Sequence, residues 1–196
     1  MALKRAIFLD KDGTLVEDVP YNVDPALIRL TPGAGEALRA LEAAGFVLVV
    51  VSNQSGVARG FFPESALTGV EARLRELSEA EGVTLADFYA CPHHPEGTVA
   101  GYARECGCRK PEPGLLRRAA AELGLDLARS WMVGDILNDV EAGRRAGCRT
   151  VLLDLGGETE WVPGPYRTPH HTAQEWADAA AAILAHEGET HALGTP

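Results

Sequence analysis

Four apolar residues that run directly into two aspartates constrain this chain more than any other feature. The run Ala6–Leu9 is short and compatible with a β-strand, and it is followed by Asp10, Asp12 and Gly13. This pattern predicts a buried strand that delivers carboxylates into a turn. Because residues i and i+2 of an extended chain project to the same side, both carboxylates can face one volume beyond the strand's carboxyl end. Open α/β sheets bind their ligands at that edge.

A close pair of carboxylates indicates acid–base or metal chemistry. The two groups repel each other and raise one pKa unless a cation neutralises them. With a hard cation such as Mg²⁺, one of Asp10 and Asp12 can act as a nucleophile while the other handles protons. The alternative is a solvated aspartate turn, which is common for an isolated pair. The wholly apolar strand before the pair favours a functional site.

A second apolar segment, Phe46–Val51, ends in the polar residues Ser52 and Asn53. The segment is typical of a central strand covered on both faces. A helix is predicted before it, between Thr31 and Gly45, so the order strand–helix–strand favours a parallel pair. A hydroxyl and several backbone N–H groups at this strand end can hold phosphoryl oxygens. An ordinary turn capped by Ser52 and Asn53 explains the same residues.

Three of the four cysteines lie close together with a histidine, in the pattern Cys-x-His, twelve intervening residues, Cys-x-Cys. Four such ligands in two clusters fit tetrahedral Zn²⁺, and a site filled by four protein side chains is structural. The alternatives are unligated thiols or a redox pair, but the spacing differs from the redox pattern C-x-x-C. Either His93 or His94 satisfies the spacing from the residues alone. The predicted zinc loop is 91–108, with Cys91, Cys106, Cys108 and one of these two histidines as the ligands.

Composition narrows the class of protein. With 196 residues, 46% hydrophobic and 23% charged, the chain is predicted to be one globular domain, 1–196. The net charge of −10 argues against nucleic acid and anionic membranes as partners. No apolar run approaches the roughly 20 residues that span a bilayer, and the N-terminus does not resemble a signal peptide. Cysteines that are clustered rather than paired favour a reducing compartment, so we expect a cytoplasmic protein.

The residues Asp10-Lys11-Asp12-Gly13-Thr14 resemble the first motif of the haloacid dehalogenase (HAD) superfamily, whose phosphatases form an aspartyl phosphate. The wider stretch FLDKDGTLVED is similar to the group of heptose bisphosphate and histidinol phosphatases. Three further motifs follow in order, at Ser52, at Arg109-Lys110-Pro111 and at Gly134-Asp135 with Asp139. The resemblance implies an α/β fold of three Rossmann-like layers, with a central, mostly parallel sheet, helices on both faces, a zinc loop and no separate cap domain.

The resemblance also implies a role for each motif residue. Asp10 is expected to attack phosphorus, and Asp12 to protonate the leaving group and then activate water. Ser52, the Asn53 amide and Lys110 are expected to hold the phosphoryl group. Asp139 is expected to orient Lys110 or a metal-bound water from behind the reacting groups. The implied Mg²⁺ ligands are Asp10, the Asp12 backbone carbonyl and Asp135, and the implied histidine ligand of zinc is His93.

For the substrate, the resemblance implies a small phosphorylated metabolite bound by a monomer. The first expectation is removal of the 7-phosphate of D-glycero-D-manno-heptose 1,7-bisphosphate, and the alternative is histidinol phosphate. A binding module stabilised by zinc, without catalysis, is a further alternative. Relatives carry a basic residue where this chain has Ile136, so one side-chain contact to substrate is expected to be absent. The expected substrate contacts are Asp18, Tyr21, Ser52, Asn53, Gln54, Ser55, Arg109 and Lys110.

The C-terminal part carries weaker patterns. A Gly- and Pro-rich connection is predicted over 154–169, an amphipathic helix over 173–186 and a flexible tail over 187–196. Other expected elements are a helix over 64–81, a strand over 85–90, a helix over 113–123, a strand over 130–133, a helix over 140–146 and a strand over 150–153.

Overall fold

A computed structural model describes residues 3–192 of the chain, with side chains through residue 186. Within that range, strands and helices alternate for most of the length. The strands are β1 (Ala6–Leu9), β2 (Val47–Asn53), β3 (Leu85–Cys91), β4 (Trp131–Gly134), β5 (Arg149–Leu153) and β6 (His171–Ala173). The helices are α1 (Ala34–Ala43), α2 (Leu67–Ala80), α3 (Gly114–Leu123), α4 (Leu137–Ala146) and α5 (Trp176–Ala192), with short 3₁₀ helices at Pro25–Leu27, Glu64–Ala66 and Leu127–Arg129.

The described strands form one sheet in the order β3-β2-β1-β4-β5-β6, and every neighbouring pair is parallel. The strand β1 is central, with Leu9 opposite Val50 of β2 and Val133 of β4. Parallel strands end at the same edge of a sheet, so the residues that follow β1, β2 and β4 are neighbours. This topology brings the three predicted strand-end motifs together.

Alternating side chains of β1 pack into two separate cores. Ile7 and Leu9 belong to a cluster that includes residues of α1, α2 and α5, whereas Ala6 and Phe8 pack with residues of α3 and α4. Because successive strand residues point to opposite faces, the sheet is covered by helices on both sides. The predicted three-layer α/β fold is therefore confirmed.

Some element boundaries differ from the sequence-based predictions. β2 continues through Asn53, so Ser52 belongs to the strand and not to the turn after it. β6 was not predicted, because three residues without an apolar run give no strand signal. α4 begins three residues earlier than expected, which places Asp139 in its first turn. α5 begins at Trp176 rather than 173.

The helix α5 also extends into the predicted tail. Its backbone is helical to Ala192, so residues 187–192 of the predicted tail 187–196 continue the helix, and the last four lie outside the described residues. None of the helices in residues 3–192 is both long and apolar enough to cross a membrane.

The start of α1 is supported in an unexpected way. Its N-cap is Gly33, which provides no side-chain hydrogen bond to the helix. The hydroxyl of Thr31 instead donates to the carbonyl of Thr14 at 2.6 Å and accepts from Trp176 Nε1 at 2.8 Å. This buried chain of hydrogen bonds connects α5 to the turn that follows Asp12.

Candidate active site

The turn after β1 is shaped to lie against Asp135. Gly13 has φ +78°, a conformation that side-chain-bearing residues rarely adopt, and a Cβ there would collide with Asp135 Oδ2. The hydroxyl of Thr14 donates to Asp135 Oδ1 at 3.2 Å. The glycine in the first motif is therefore required by the close approach of the fourth.

Lys110 joins three segments at the bottom of the site. Its side chain is buried, and Nζ lies 2.5 Å from Asp10 Oδ1 and 2.7 Å from Asp139 Oδ1. The third partner is the carbonyl of Val51, at 2.9 Å. Burial alone would lower the pKa of Lys110, but the carboxylates of Asp10 and Asp139 outweigh burial and raise it. The site therefore holds a permanent positive charge beside Asp10.

Asn53 fixes the backbone of Lys110. Its side-chain amide donates to the Lys110 carbonyl at 3.0 Å and accepts from the Lys110 amide at 3.0 Å. The two residues are 57 positions apart in the chain, so this reciprocal pair connects the end of β2 to the segment after the cysteines. Sequence reasoning assigned Asn53 only to the phosphoryl group and did not predict this contact.

Gln54 connects Asp12 to Ser52. Its Nε2 donates to Asp12 Oδ2 at 3.1 Å and to Ser52 Oγ at 2.8 Å. Asp12 also contacts the ammonium of Lys11, a buried lysine. Burial is the largest influence on Asp12 and raises its pKa despite the opposing charge of Lys11. A raised pKa suits a carboxyl that must carry a proton at some stage of a reaction.

Three carboxylates share the deepest part of the site. One oxygen from each of Asp10, Asp135 and Asp139 lies within 4.8 Å of the others. Burial, followed by the charges of Asp10 and Asp139, raises the pKa of Asp135 to about 8. Burial also raises the pKa of Asp139, against the attraction of Lys110. One lysine does not balance this much negative charge, and the hard oxygen donors are of the kind that bind divalent cations.

A cavity of about 240 Å³ opens above these groups. Of the predicted substrate contacts, Asp18, Asn53 and Lys110 line it, whereas Tyr21, Ser52, Gln54, Ser55 and Arg109 are not among its lining residues. Tyr21 is half exposed and packs edge-on against Phe61, with ring centroids 4.7 Å apart. The complete lining consists of Asp10, Asp12, Asp18, Asn53, Lys110, Asp135, Ile136, Asp139 and Gly157.

The segment after β5 contributes residues that the sequence did not single out. A Cβ on Gly157 would collide with Asp135 Oδ2, so a side chain there would displace the carboxyl of Asp135. Glu158 accepts from the backbone amide of Leu137 at 2.7 Å, at the first residue of α4. The Gly- and Pro-rich composition of this segment did not predict either contact. This segment therefore closes the site on the side of Asp135.

The predicted cysteine and histidine cluster is assembled in the structure. Sγ of Cys108 lies 3.1 Å from that of Cys91, 3.2 Å from that of Cys106 and 3.4 Å from His93 Nδ1. The hydrogen bond between Cys108 and Cys91 is the largest of several influences that lower the pKa of Cys108 to about 5. His94 points elsewhere, with Nε2 3.3 Å from Arg59 Nη2. The geometry therefore selects His93 as the fourth member of the group.

The zinc loop, residues 91–108, packs on the loop that follows β2. The amides of Thr98 and Val99 both donate to the carbonyl of Ala58, at 2.8 Å and 3.0 Å. Gly97 approaches Ala58 so closely that a Cβ would collide with it. The two loops therefore form one continuous wall beside the carboxyl edge of the sheet.

Comparison with known proteins agrees with this geometry. A family model described as HAD-hydrolase-like matches residues 107–179. The chain is 39% identical to D-glycero-beta-D-manno-heptose-1,7-bisphosphate 7-phosphatase of Yersinia pestis, over 92% of this chain and 95% of that protein. It is 43% identical to the protein of the same name from Mesorhizobium japonicum, over 91% of this chain and 82% of the relative.

A solved structure extends the comparison to the fold. The D,D-heptose 1,7-bisphosphate phosphatase of B. bronchiseptica, complexed with magnesium and phosphate, is 31% identical with a TM-score of 0.73. The similarity covers 93% of this chain and 99% of that one.

Proposed function

Because the chain belongs to the family of HAD-like hydrolases that includes the D-glycero-beta-D-manno-heptose-1,7-bisphosphate 7-phosphatases, we propose that it removes the 7-phosphate of this heptose bisphosphate. The observation that carries the proposal is the contact of Lys110 with both Asp10 and Asp139 beneath a cavity lined by Asp12 and Asp135. Such a site can accept a phosphoryl group on a carboxylate and neutralise the charge that accompanies it.

In the proposed mechanism, Asp10 attacks phosphorus in line with the leaving oxygen, and the P–O bond to the sugar breaks. Asp12, protonated, gives its proton to the departing alkoxide. Asp12 then takes a proton from the water that attacks the aspartyl phosphate, which releases inorganic phosphate and restores Asp10. The raised pKa of Asp12 supports this double role. Gln54 holds the carboxyl of Asp12 in place through its contact at 3.1 Å.

Charge on the transferring group is held by donors on two segments. Lys110 is positioned by Asn53 through its backbone and by Asp139 through its ammonium, so its position does not depend on substrate. The hydroxyl of Ser52 lies at the end of β2 and is proposed to donate to a phosphoryl oxygen. Asp139 is fully buried against Lys110, which supports a positioning role rather than direct contact with substrate.

The three crowded carboxylates and the space left by Gly13 and Gly157 fit a Mg²⁺ ion. The residues proposed to hold it are Asp10, Asp12 through its backbone carbonyl, and Asp135. When bound, the ion would supply positive charge to the phosphoryl oxygens during transfer. The close group formed by Cys91, His93, Cys106 and Cys108 fits Zn²⁺ bound for structure, since four protein ligands leave no position for water.

The substrate is proposed from the relatives' names and from the loops at the cavity. Asp18 lines the cavity, and Tyr21, Gln54, Ser55 and Arg109, which are not among its lining residues, stay proposed contacts of the sugar. The test is phosphate release with Mg²⁺ present, comparing kcat/KM for heptose 1,7-bisphosphate and histidinol phosphate on one preparation. An Asp10→Asn preparation, purified in parallel, measures contaminating phosphatases. We expect the heptose to be preferred about a hundredfold, which corresponds to about 2.7 kcal/mol.

A preference for histidinol phosphate would contradict the proposed substrate but agree with the proposed phosphatase reaction. Release of phosphate from neither compound would contradict both and favour a binding module.

The cytoplasmic location is proposed because none of the four cysteines forms a disulfide. The monomeric state and the lack of a nucleic-acid or membrane partner stay predictions.

A further inference from the structure

A cavity of about 360 Å³ lies at the opposite end of the sheet from the active site. Trp131, Arg149 and His171 line it, and each is the first residue of its strand, in β4, β5 and β6. Because parallel strands all begin at one edge of a sheet, the cavity lies at the amino edge, whereas Asp10 and Asp135 lie beyond the carboxyl edge. The cavity is therefore separate from the proposed phosphatase site. Its other lining residues are His170, Ala182, Ala185 and His186.

The polar side chains around this cavity are mostly basic. Three of the six histidines of the chain line it, together with Arg149. Arg144 contacts one of them, with Nη1 3.1 Å from His170 Nε2. Burial, followed by the charges of Arg144 and Arg149, lowers the pKa of His170, so both guanidinium groups act on the same ring. Such a concentration of basic groups is unexpected in a protein with net charge −10.

The contact between Arg144 and His170 brings two hydrogen-bond donors together. His170 Nδ1 accepts from the backbone amide of Thr150 at 3.0 Å, so the neutral ring carries its proton on Nε2. That N–H faces the guanidinium of Arg144, which has no acceptor atom. An anion placed beside both groups would accept a hydrogen bond from each of them. The arrangement therefore favours an anionic ligand.

Little negative charge opposes these arginines. Arg149 donates to the carbonyl of Ala128 at 3.5 Å, and neither Arg149 nor Arg144 forms an ion pair within residues 3–186. In the same range, the carboxylate that contacts a lining residue is that of Asp178, which lies 3.0 Å from His171 Nε2. Asp178 is 45% exposed, so solvent screens its charge. The two guanidinium charges are therefore left for a ligand to balance.

Trp131 adds an unsatisfied donor to the wall of the cavity. Its side chain is buried, and Nε1 has no hydrogen-bond partner among the described residues. The guanidinium carbon of Arg149 lies 5.9 Å from the centre of its ring. The rings of His170 and His186 pack edge-on against it, with centroids at 6.3 Å and 5.7 Å. Because three basic side chains surround this indole, a ligand that binds among them must change its surroundings.

We infer that Arg144, Arg149 and His170 form an anion site at the amino edge of the sheet, which binds a phosphate group, either free or carried by a small metabolite. Planar guanidinium groups match the oxygens of phosphate through paired hydrogen bonds, and a phosphate dianion balances the charge of two arginines. The cavity is larger than a phosphate group, so the body of a metabolite has room beside Trp131. The inference does not depend on the proposed function, because no residue of the active site takes part.

The indole N–H signals in ¹⁵N–¹H NMR spectra test this site. The chain has three tryptophans, and Trp131→Phe identifies the signal of Trp131. We expect inorganic phosphate, titrated at constant ionic strength, to move that signal along a saturable curve with half-saturation at about 1 mM. Arg144→Met and Arg149→Met should each weaken the binding about tenfold. Arg118→Met, which removes an exposed arginine paired with Glu122, is the matched control and should leave the curve unchanged.

Phosphate that binds at the active site alone would give a different result. If the Trp131 signal does not move up to about 20 mM phosphate, or moves equally in wild type and in Arg149→Met, the inference is overturned. Thermal unfolding should be measured on each variant. If Arg149→Met does not fold, His170→Gln takes its place, because that side chain is exposed and glutamine can still accept from the Thr150 amide.

The source of the phosphate group is identified by comparing three ligands in the same titration: inorganic phosphate, fructose 6-phosphate and fructose. Tighter binding of the sugar phosphate than of inorganic phosphate supports a site for a phosphorylated metabolite. Equal or tighter binding of inorganic phosphate supports a site for the free ion. If uncharged fructose moves the Trp131 signal as strongly as fructose 6-phosphate does, the cavity does not select anions and the inference is wrong.

Discussion

The two candidate metal centres are built in opposite ways. The carboxylate centre takes its residues from strand ends and a helix that are far apart in the chain, at Asp10, Asp135 and Asp139. The sulfur centre takes all its residues from one stretch of 18 positions, 91–108. The register of the sheet fixes the positions of the residues in the carboxylate centre. In the sulfur centre only the first residue, Cys91, lies on a strand.

The difference suits the separate tasks that we propose for the two centres. Groups that touch the reacting phosphorus must be held accurately, and a buried parallel sheet supplies that accuracy. A loop that selects the substrate needs order but not a place in the sheet, and a metal clip supplies order locally. The centres meet at one point, where Asn53 lies opposite Cys91 in the β2–β3 ladder and holds the backbone of Lys110.

Asp10→Asn is expected to have the largest effect on catalysis and to leave the sulfur centre unchanged. Loss of the nucleophile should lower kcat by about 10⁴-fold or more, because the amide cannot form the aspartyl phosphate. The zinc content and the circular dichroism spectrum should match wild type, since the sulfur centre does not involve Asp10. Phosphate release and zinc analysis on one preparation check both parts. Residual turnover within tenfold of wild type would contradict the proposal that the chemistry depends on the carboxylate centre.

Cys106→Ser is the opposite test, because it changes the sulfur centre and leaves the carboxylate centre intact. Loss of one of four ligands should remove zinc and lower the free energy of unfolding by about 3 kcal/mol or more, because metal binding contributes to folding. We expect kcat for p-nitrophenyl phosphate to fall less than tenfold, since Asn53 holds Lys110 independently of the loop. Denaturant titration and zinc analysis measure the first effect. If kcat collapses in protein that remains folded, the sulfur centre positions the catalytic lysine itself.

Asn53→Ala tests the contact through which the two centres meet. The change removes both hydrogen bonds to the Lys110 backbone, and a misplaced ammonium should lower kcat about a hundredfold while zinc stays bound. Asn53→Asp is the matched variant, because it keeps the acceptor for the Lys110 amide and loses the donor. An unchanged kcat in Asn53→Ala would mean that Asp10 and Asp139 are sufficient to hold the lysine.

The smallest effect is expected from Trp176→Phe. The indole donates to Thr31, which in turn donates to Thr14, so the change removes one buried hydrogen bond that involves no residue of either centre. We expect the free energy of unfolding to fall by about 1–2 kcal/mol, with kcat within threefold of wild type. A large loss of activity at unchanged stability would mean that α5 helps to shape the turn after Asp12.

The sequence predicts the fold well where local pattern and topology agree. Apolar runs such as Ala6–Leu9 and Phe46–Val51 mark central strands, because burial on both faces leaves no other pattern. The strand His171–Ala173 is invisible for the opposite reason: three residues at a sheet edge, with one of them buried, carry no periodicity. The early start of α4 also depends on tertiary contact, since Glu158 caps it from 21 positions away.

The candidate site shows the same limit. Motif residues such as Asp10, Lys110 and Asp135 can be found because each follows a recognisable strand or motif. The reciprocal contact between Asn53 and Lys110 could not be found, because no local pattern connects residues 57 positions apart. Nor could the choice between His93 and His94 be made from spacing alone, since it depends on where each side chain points once the loop has folded.

The assignment of Asp10 as the nucleophile is tested most directly by trapping the phosphoryl group on the enzyme. Wild type with Mg²⁺ and heptose bisphosphate labelled with ³²P at position 7 would be quenched in acid during the first turnover and digested. We expect the label in the peptide that contains Asp10. The Asp10→Asn variant should carry no label, although its zinc content should equal that of wild type. Full-rate phosphate release with no label on the protein, or label on another residue, would contradict the assignment of Asp10 as nucleophile.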